Sequence, residues 1–449
     1  PPYTDSADFG PELKEFIEDN YKKPYKFHTN LYATFIKRCY DFTGKAGFVA
    51  MIHPLTFMYI KSFDGVRKFI ISNATVNILV ELGLGGVFAN SDVQVDPVMY
   101  VLERKKAQAQ SVFMDFKKYK NNTKKPEIFL ESYNNYITQK SDRHSYTLNQ
   151  DQFKKIASWP FIYWISDDFR QLIKNMPLSK EAEVISGMKT GNNEATLRFW
   201  WELDRKDVRT VNQNKGDWIP YAKGGVFKKW AGNIWLCINW KNDGAAVLSQ
   251  KNYNIVPKKY FTTKGITYGA RSAKGVSYRY LGQYELFDMV SGGVFLEEVN
   301  LFGALGVLNS KLIYYITNCL NPTSTTQPND IKRLPFIGFN NSSIEILAKN
   351  NYEIASKLDS YSLVEYDFTQ SPLHRVSGGF REVVKNHLMN ELYLMCLVLI
   401  NESIIDDIVF SEFKIPQADI DIITESEGQS VAMLPVIIEA KQSIIAELE

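Results

Sequence analysis

Apolar positions in the first hundred residues recur with two different periods. From Leu31 to Phe42 they fall at helical spacing, with Leu31, Phe35, Cys39 and Phe42 on one face, and Pro11 to Asn20 reads as a shorter helix before it. Thr43-Gly44-Lys45-Ala46-Gly47 marks the turn out, and Phe48 to Ile52 is an unbroken apolar run of strand length, closed by His53-Pro54. Asp64 to Ser72 returns to helical spacing. Thr75 to Leu82 reads as a strand, and Asp96 to Leu102 as another, with Pro97 near its start where no ladder donor is lost. Leu84-Gly85-Gly86-Val87-Phe88 forms a loop between those two. Strands joined by helices predict a mostly parallel sheet, with an antiparallel hairpin allowed at its edge.

The pattern changes after residue 104. Lys105-Lys106, Lys117-Lys118, Lys120 and Lys124-Lys125 accumulate with little apolar periodicity, so 105–150 reads as a basic helical linker, either simply solvated or tracking a phosphate backbone. From 151 to 340 the text is aromatic and short-stranded, as in Trp235-Leu236-Cys237-Ile238-Asn239-Trp240, with turn signals at Gly224-Gly225, Asn242-Asp243-Gly244 and Gly292-Gly293. A largely antiparallel, mixed α+β domain is expected there. Leu301 to Leu320 is apolar and helical, ended by Asn321-Pro322. Residues 341–449 read as mostly helical, Arg381 to Phe410 above all.

At 449 residues the chain exceeds one core, and two or three domains are expected. A 45% hydrophobic and 23% charged composition is that of an ordinary globular protein, so the totals exclude little. The net charge of +2 permits a nucleic-acid partner without requiring one. Cys39, Cys237, Cys319 and Cys396 lie far apart and form no metal-ligand pair, which suggests a reducing cytoplasm. No apolar run approaches the roughly 20 residues needed to span a bilayer, so no membrane partner is expected.

Three short segments carry candidate chemistry. The chain opens on Pro1-Pro2-Tyr3, without an initiator Met. Asn30-Leu31-Tyr32-Ala33-Thr34-Phe35 opens the second helix, and Gly86-Val87-Phe88 precedes the last strand. Together, in this order, they resemble the second half of the catalytic domain of gamma-class N6-adenine DNA methyltransferases, in which Pro-Pro-Tyr completes an Asn-Pro-Pro-Tyr tetrapeptide. The resemblance implies a partial Rossmann-like (class I) methyltransferase sheet over 1–104 and S-adenosylmethionine as cofactor. The carbonyl of Pro1 would accept one hydrogen of the adenine amine, while the rings of Tyr3 and Phe88 would enclose the flipped base. Pro2 and Phe35 would line the pocket for the cofactor's adenine. The Asn before Pro1 and the cofactor's glycine-rich loop do not occur in this sequence, so the chain is expected to be a fragment and inactive alone. Leu82-Gly83-Leu84-Gly85-Gly86 lacks the Lys-Ser/Thr of a phosphate-binding loop. His53, at the carboxyl edge of the sheet, is expected to be structural rather than ligating.

Further segments narrow the resemblance. Gly187-Met188-Lys189-Thr190-Gly191-Asn192-Asn193, with Arg198-Phe199-Trp200, is similar to the segment that opens the specificity region of PglX-type methyltransferases of bacteriophage-exclusion (BREX) systems. So are Lys223 to Asn233, Asn239 to Gly244 and Phe261 to Tyr268. The resemblance implies a target-recognition domain over 151–340 and double-stranded DNA as partner, with other phage-defence proteins as further candidates. Lys189, Lys228, Lys229, Lys264, Arg271, Lys274 and Arg279 are the candidate DNA-binding cations, interleaved with polar and aromatic residues. Two alternatives remain open at this level: the modification part of a fused restriction-modification enzyme, and a non-catalytic DNA-recognition module. No acidic nuclease cluster and no metal site stand out.

Overall fold

The computed structural model describes residues 1–84, 95–105, 110–119, 124–174, 177–211, 215–271, 274–323, 325–375, 379–430 and 435–448. The chain divides into two compact units, Pro1–Lys174 and Asn175–Glu449. Helices of eight residues or more are numbered below.

The first unit holds helices α1 (Pro11–Tyr21), α2 (Leu31–Phe42), α3 (Asp64–Asn73), α4 (Lys125–Ile137) and α5 (Asp167–Lys174). Its five strands are β1 (Phe48–Pro54), β2 (Thr75–Glu81), β3 (Pro97–Glu103), β4 (Gln110–Asp115) and β5 (Ser145–Asn149), in the order β1-β3-β2-β4-β5. Each predicted element between 11 and 104 is present, but the sheet they build is not mostly parallel. Strand β3 lies between β1 and β2 and runs antiparallel to both, from Phe48↔Glu103 to Pro54↔Pro97 on one side and Thr75↔Glu103 to Glu81↔Val98 on the other. The crossover through α3 leaves a gap one strand wide between parallel β1 and β2, and the returning hairpin fills it. The hairpin is therefore internal and not at the sheet edge.

The segment 105–150 is also more than a linker. Strand β4 pairs parallel with β2, and β5 pairs antiparallel with β4, so the sheet continues through it. Strand β4 carries Val112, Phe113 and Met114 as buried positions, a run too short for periodicity to separate from a helix segment.

One face of β1, β2 and β3 packs on α2 and α3 around Val49, Val76, Leu79, Val98 and Leu102. Helix α2 starts where the Asn30 side chain accepts from the Tyr32 amide at 3.3 Å. It buries Tyr32, Ala33 and Ile36 and leaves Phe35 and Phe42 exposed, so the face read as its apolar stripe is not the one that packs. The fully buried Arg67 of α3 donates through Nη1 to the carbonyls of Phe57 (2.6 Å) and Ile60 (2.8 Å), and through Nε to Ser158 (2.9 Å). These charge-assisted bonds tie the turn after β1 to the segment after β5.

The second unit contains two four-stranded sheets. One has the order β11-β10-β13-β6, built from β6 (Glu183–Ser186), β10 (Gly265–Gly269), β11 (Tyr278–Leu281) and β13 (Ser291–Phe295), all antiparallel. The other has the order β12-β8-β9-β7, from β7 (Leu197–Phe199), β8 (Trp218–Ala222), β9 (Leu236–Asn239) and β12 (Leu286–Phe287), with only β12–β8 parallel. The predicted long apolar helix is two, α6 (Leu301–Leu308) and α7 (Lys311–Leu320), bent by 75° at Asn309-Ser310. Ser310 caps α7, and the side chain of Asn309 exchanges two hydrogen bonds with the backbone of Tyr278, which binds the bend to β11. Among the described residues no single helix is long and apolar enough to cross a membrane. Helices α8 (Ser342–Asp359), α9 (Phe380–Glu412), α10 (Gln417–Glu427) and α11 (Pro435–Leu448) make the helical end of the chain.

Candidate functional site

The amino-terminal residues are held by backbone pairing. Asp5 and Asn30 form an antiparallel bridge, and the Leu31 amide donates to the Thr4 carbonyl at 3.0 Å. Pro1-Pro2-Tyr3 thus leads directly into a segment fixed to the first turn of α2. That turn in turn sits on the carboxyl end of β1, because the Tyr32 ring stacks on His53 with centroids 4.4 Å apart and planes 18° off parallel. Two of the three motif segments therefore meet at one edge of the sheet. Strand β2, parallel to β1, ends at the same edge. Phe88, the third expected site ring, lies outside the described residues.

Pro1 and Pro2 are exposed, Tyr3 is 39% exposed and Phe35 40%. Phe35 is less exposed than Phe42 on the same helix, so exposure alone does not mark it, but its ring is open to contact with a planar ligand. Pro2 and Phe35 present apolar surface on elements pinned together, so they suit one end of an adenine-bearing cofactor. His53 is structural. It is fully buried, with Nε2 2.7 Å from the Tyr100 hydroxyl and Nδ1 2.9 Å from the Pro54 carbonyl. Burial drives its pKa down to about 4.

A buried polar cluster closes the end of β2, and sequence reading missed it. Glu81 is fully buried and accepts from the hydroxyls of Tyr59 (2.9 Å) and Tyr163 (2.7 Å), with Lys117 Nζ at 3.2 Å from its other oxygen. Burial raises the Glu81 pKa, against the pull of Lys117. For Lys117, burial opposes the charge, but Glu81 and Asp115 together outweigh it and its pKa is raised. Lys117 is therefore spoken for inside the sheet, and the Lys125 ammonium donates to the Leu82 carbonyl at 2.6 Å. Neither tracks an external phosphate chain. The signal for this cluster was present as a lone Glu ending an apolar strand.

In the second unit the seven candidate cations separate. Arg279 is a correction: it is 1% exposed, on β11, facing Asp359 and Glu365, with burial lowering its pKa to about 10. The alternation that places Tyr278 and Tyr280 in the sheet also carries the guanidinium inside, where it cannot meet DNA. Lys228 bridges Asp359 and Glu365, the latter at 2.8 Å. Lys229 pairs with Glu402 at 3.1 Å, and Lys264 with Glu298. Lys189, Arg271 and Lys274 are exposed. Lys229 and Lys274 come together, with Lys311, at a cleft of about 250 Å³ that Glu427 also lines. On β7 and the turn after it, Phe199 and Trp201 stack at 4.6 Å with 42% and 48% exposure. Arg198-Phe199-Trp200 is among the motif segments read from sequence, but the ring pairing is visible only in three dimensions.

Residues 1–88 match the family model described as Eco57I restriction-modification methylase. Over 384 residues the chain is 26% identical to the adenine-specific methyltransferase BrxX of Escherichia coli O9:H4 (strain HS), covering 84% of this chain and 30% of that protein. Over 357 residues it is 29% identical to the adenine-specific methyltransferase PglX of Lacticaseibacillus casei (strain Zhang), covering 75% and 28%. The resemblance to PglX-type methyltransferases is borne out. The chain spans about 30% of the length of these curated relatives. Among solved structures, the type IIL restriction-modification enzyme MmeI in complex with DNA is similar in fold, with TM-score 0.52 at 11% identity over 99% of this chain and 56% of that one. The PglX-like similarity thus extends well past the 88 residues that the methylase family model covers, into the unit of two four-stranded sheets.

Proposed function

We propose that this chain supplies part of the catalytic domain and the target-recognition domain of a site-specific DNA adenine N6-methyltransferase of a phage-defence system. The observation that carries the reading is the pinning of Pro1-Pro2-Tyr3 to the first turn of α2 at the carboxyl edge of β1. The strand order, with β3 inserted antiparallel between parallel β1 and β2, supports a class I methyltransferase sheet. When bound, S-adenosylmethionine supplies the activated methyl group. The amine of adenine is a weak nucleophile because its lone pair is shared with the ring. A carbonyl at Pro1 that accepts one amine hydrogen helps aim that lone pair, so positioning and electrostatics carry the catalysis. The Tyr3 ring offers an exposed π-face to replace the stacking that an extruded base gives up. Pro2 and Phe35 hold the cofactor's adenine, and the resemblance makes Phe88, which is outside the described residues, the second ring against the base. The second unit reads the DNA, with Lys189, Arg271 and Lys274 as its exposed cations.

The test is methyl transfer by the intact protein. With labelled S-adenosylmethionine, N6-methyladenine is expected in one sequence context of a genome that carries the gene. DNA binding with no methylated adenine would instead leave a recognition module without transferase activity.

A further inference from the structure

The segment Gly187 to Asn193 is fixed on two sides. The Met188 amide donates to the Phe287 carbonyl at 2.8 Å, and its carbonyl accepts from the Met289 amide at 2.7 Å, which ties the segment to the end of β12. On the other side Lys189 and Asn254 exchange both backbone hydrogen bonds, each 2.8 Å long. Gly191, at a φ of +77°, completes the lock. A Cβ there would stand 2.5 Å from the Lys251 carbonyl oxygen and 2.8 Å from the Gln250 Cβ, so glycine is what lets the two loops close on each other. Some polar side chains are spent on this scaffold: Asn192 accepts from the Ala195 amide, Thr190 donates to Asn193 at 2.6 Å, and Gln250 donates to the Ala246 carbonyl at 3.0 Å.

Lys189, Lys251, Asn252, Tyr253 and Asn254 are not spent. All are exposed, and none has a side-chain hydrogen bond or ion pair among the described residues. In an antiparallel pair that exchanges both bonds the side chains leave the backbone on one side, with Cα atoms about 5.5 Å apart, so Lys189 and Asn254 stand next to each other. The local charge suits a polyanion. From Gly244 to Tyr284 the sequence holds no Asp or Glu. Lys258, Lys259 and Lys264 of that stretch are paired with acids outside it and Arg279 is buried, whereas Lys251, with Lys189 on the facing loop, keeps its charge for solvent. The acid nearest to either loop in sequence is Glu194, just past Asn193.

We propose that these paired loops enter the major groove of DNA, with Asn254 reading a base edge and Lys189 and Lys251 gripping flanking phosphates; this rests on the reading of the second unit as the DNA-recognition domain. A long ammonium stem reaches the backbone at the groove wall. A short amide on fixed main chain meets the base pair with a donor and an acceptor together, the pattern that N6 and N7 of adenine complement. Because the scaffold is locked beforehand, little freedom is lost when that amide binds.

The test is selection of duplexes from a random-sequence pool by the intact protein, beside mapping of N6-methyladenine in a genome that carries the gene. The wild type should select one motif, with adenine where Asn254 meets it. Asn254→Ala should lower discrimination at that one position about 10- to 100-fold and leave the others strict. Asn254→Asp, which keeps the shape and replaces a donor by an acceptor, should move the preference there toward cytosine. Lys251→Ala should weaken all duplexes alike. The circular dichroism spectrum should not change, because the bridge to Lys189 is made by main chain. A motif that stays strict at every position in both Asn254 variants, or binding that falls equally for every duplex, overturns the proposal. A wild type that selects no motif overturns it together with the DNA reading beneath it. One that selects a motif but methylates no adenine removes only the transferase, and the Asn254 variants decide the proposal by selection all the same.

Discussion

Tyr3 and Arg279 both read from sequence as residues that meet DNA, one in each unit, and their surroundings are opposite. Tyr3 stands 39% exposed on a backbone segment pinned at a sheet edge, whereas Arg279 is 1% exposed among the acids of the unit's interior. The difference follows from the kind of argument each residue rests on. Tyr3 belongs to an ordered set of segments with a geometric demand, which the pairing of Thr4 with Leu31 supports. Arg279 was a cation among cations, and composition cannot say which face of a strand a charge occupies.

The sharpest way to break that contrast is to remove the Arg279 charge. Arg279→Ala empties the space of a large, fully buried side chain and removes its hydrogen bond to the Lys228 carbonyl, and truncating a large buried side chain costs about 2–5 kcal/mol. Urea unfolding should show that loss, and Tyr3→Ala should move stability by less than about 0.5 kcal/mol. Equal stability of the two variants would dissolve the distinction.

Titration probes the buried acids of the second unit next. In the second unit burial raises Glu285 to about 7, and Asp359 and Asp406 to about 6. An acid whose folded pKa exceeds its unfolded value favours the folded state below the unfolded pKa, and that contribution is lost as pH rises through the folded pKa. Stability should therefore fall between about pH 4.5 and 7, with Glu285 contributing on the order of 3 kcal/mol. Glu285→Gln should flatten the descent in a pH series of denaturant midpoints, and an unchanged slope would mean that Glu285 ionises freely.

Activity tests the other side of the comparison. In the intact protein, Tyr3→Ala should lower methyl transfer about 10- to 100-fold, the worth of one stacked base, while Tyr3→Phe keeps most of it. Phe35→Ala should mainly raise the KM for S-adenosylmethionine. A normal rate with Tyr3→Ala would remove the ring from the base pocket.

How much was legible follows the same divide. Helices α1 to α3 and strands β1 to β3 were readable because each joins a clean period to turn residues at its ends. The placing of β3 between β1 and β2 was not, since strand order depends on which edge is open once α3 has crossed. Strands β4 and β5 hid behind the lysines of 105–150. Lys117 reads as solvated until Glu81 and Asp115 are seen beside it, and a long cation whose stem packs while its head finds a buried acid leaves no mark in sequence. Among site residues, Tyr3 and Phe35 stayed exposed where the resemblance wanted rings, and four of the seven cations turned toward acids distant in sequence, such as Glu365 and Glu402.

The smallest expected effect discriminates among the remaining cations. Lys189 is exposed beside the bridge to Asn254, whereas Lys264 is held by Glu298. A cation that neutralises a phosphate releases counterions, so its removal lowers the salt slope of DNA binding by about one unit. A cation already neutralised by a carboxylate releases few, because Glu298 must let go before a phosphate can replace it. Lys189→Ala should therefore weaken binding uniformly across DNA sequences and flatten log K against log salt by about one. Lys264→Ala should leave the slope nearly unchanged, read by fluorescence anisotropy at several salt concentrations. Equal slopes for the two variants would mean that the exposed Lys264–Glu298 pair opens on DNA, and the ion-paired surface cations of this unit would then have to be counted among its reading surface.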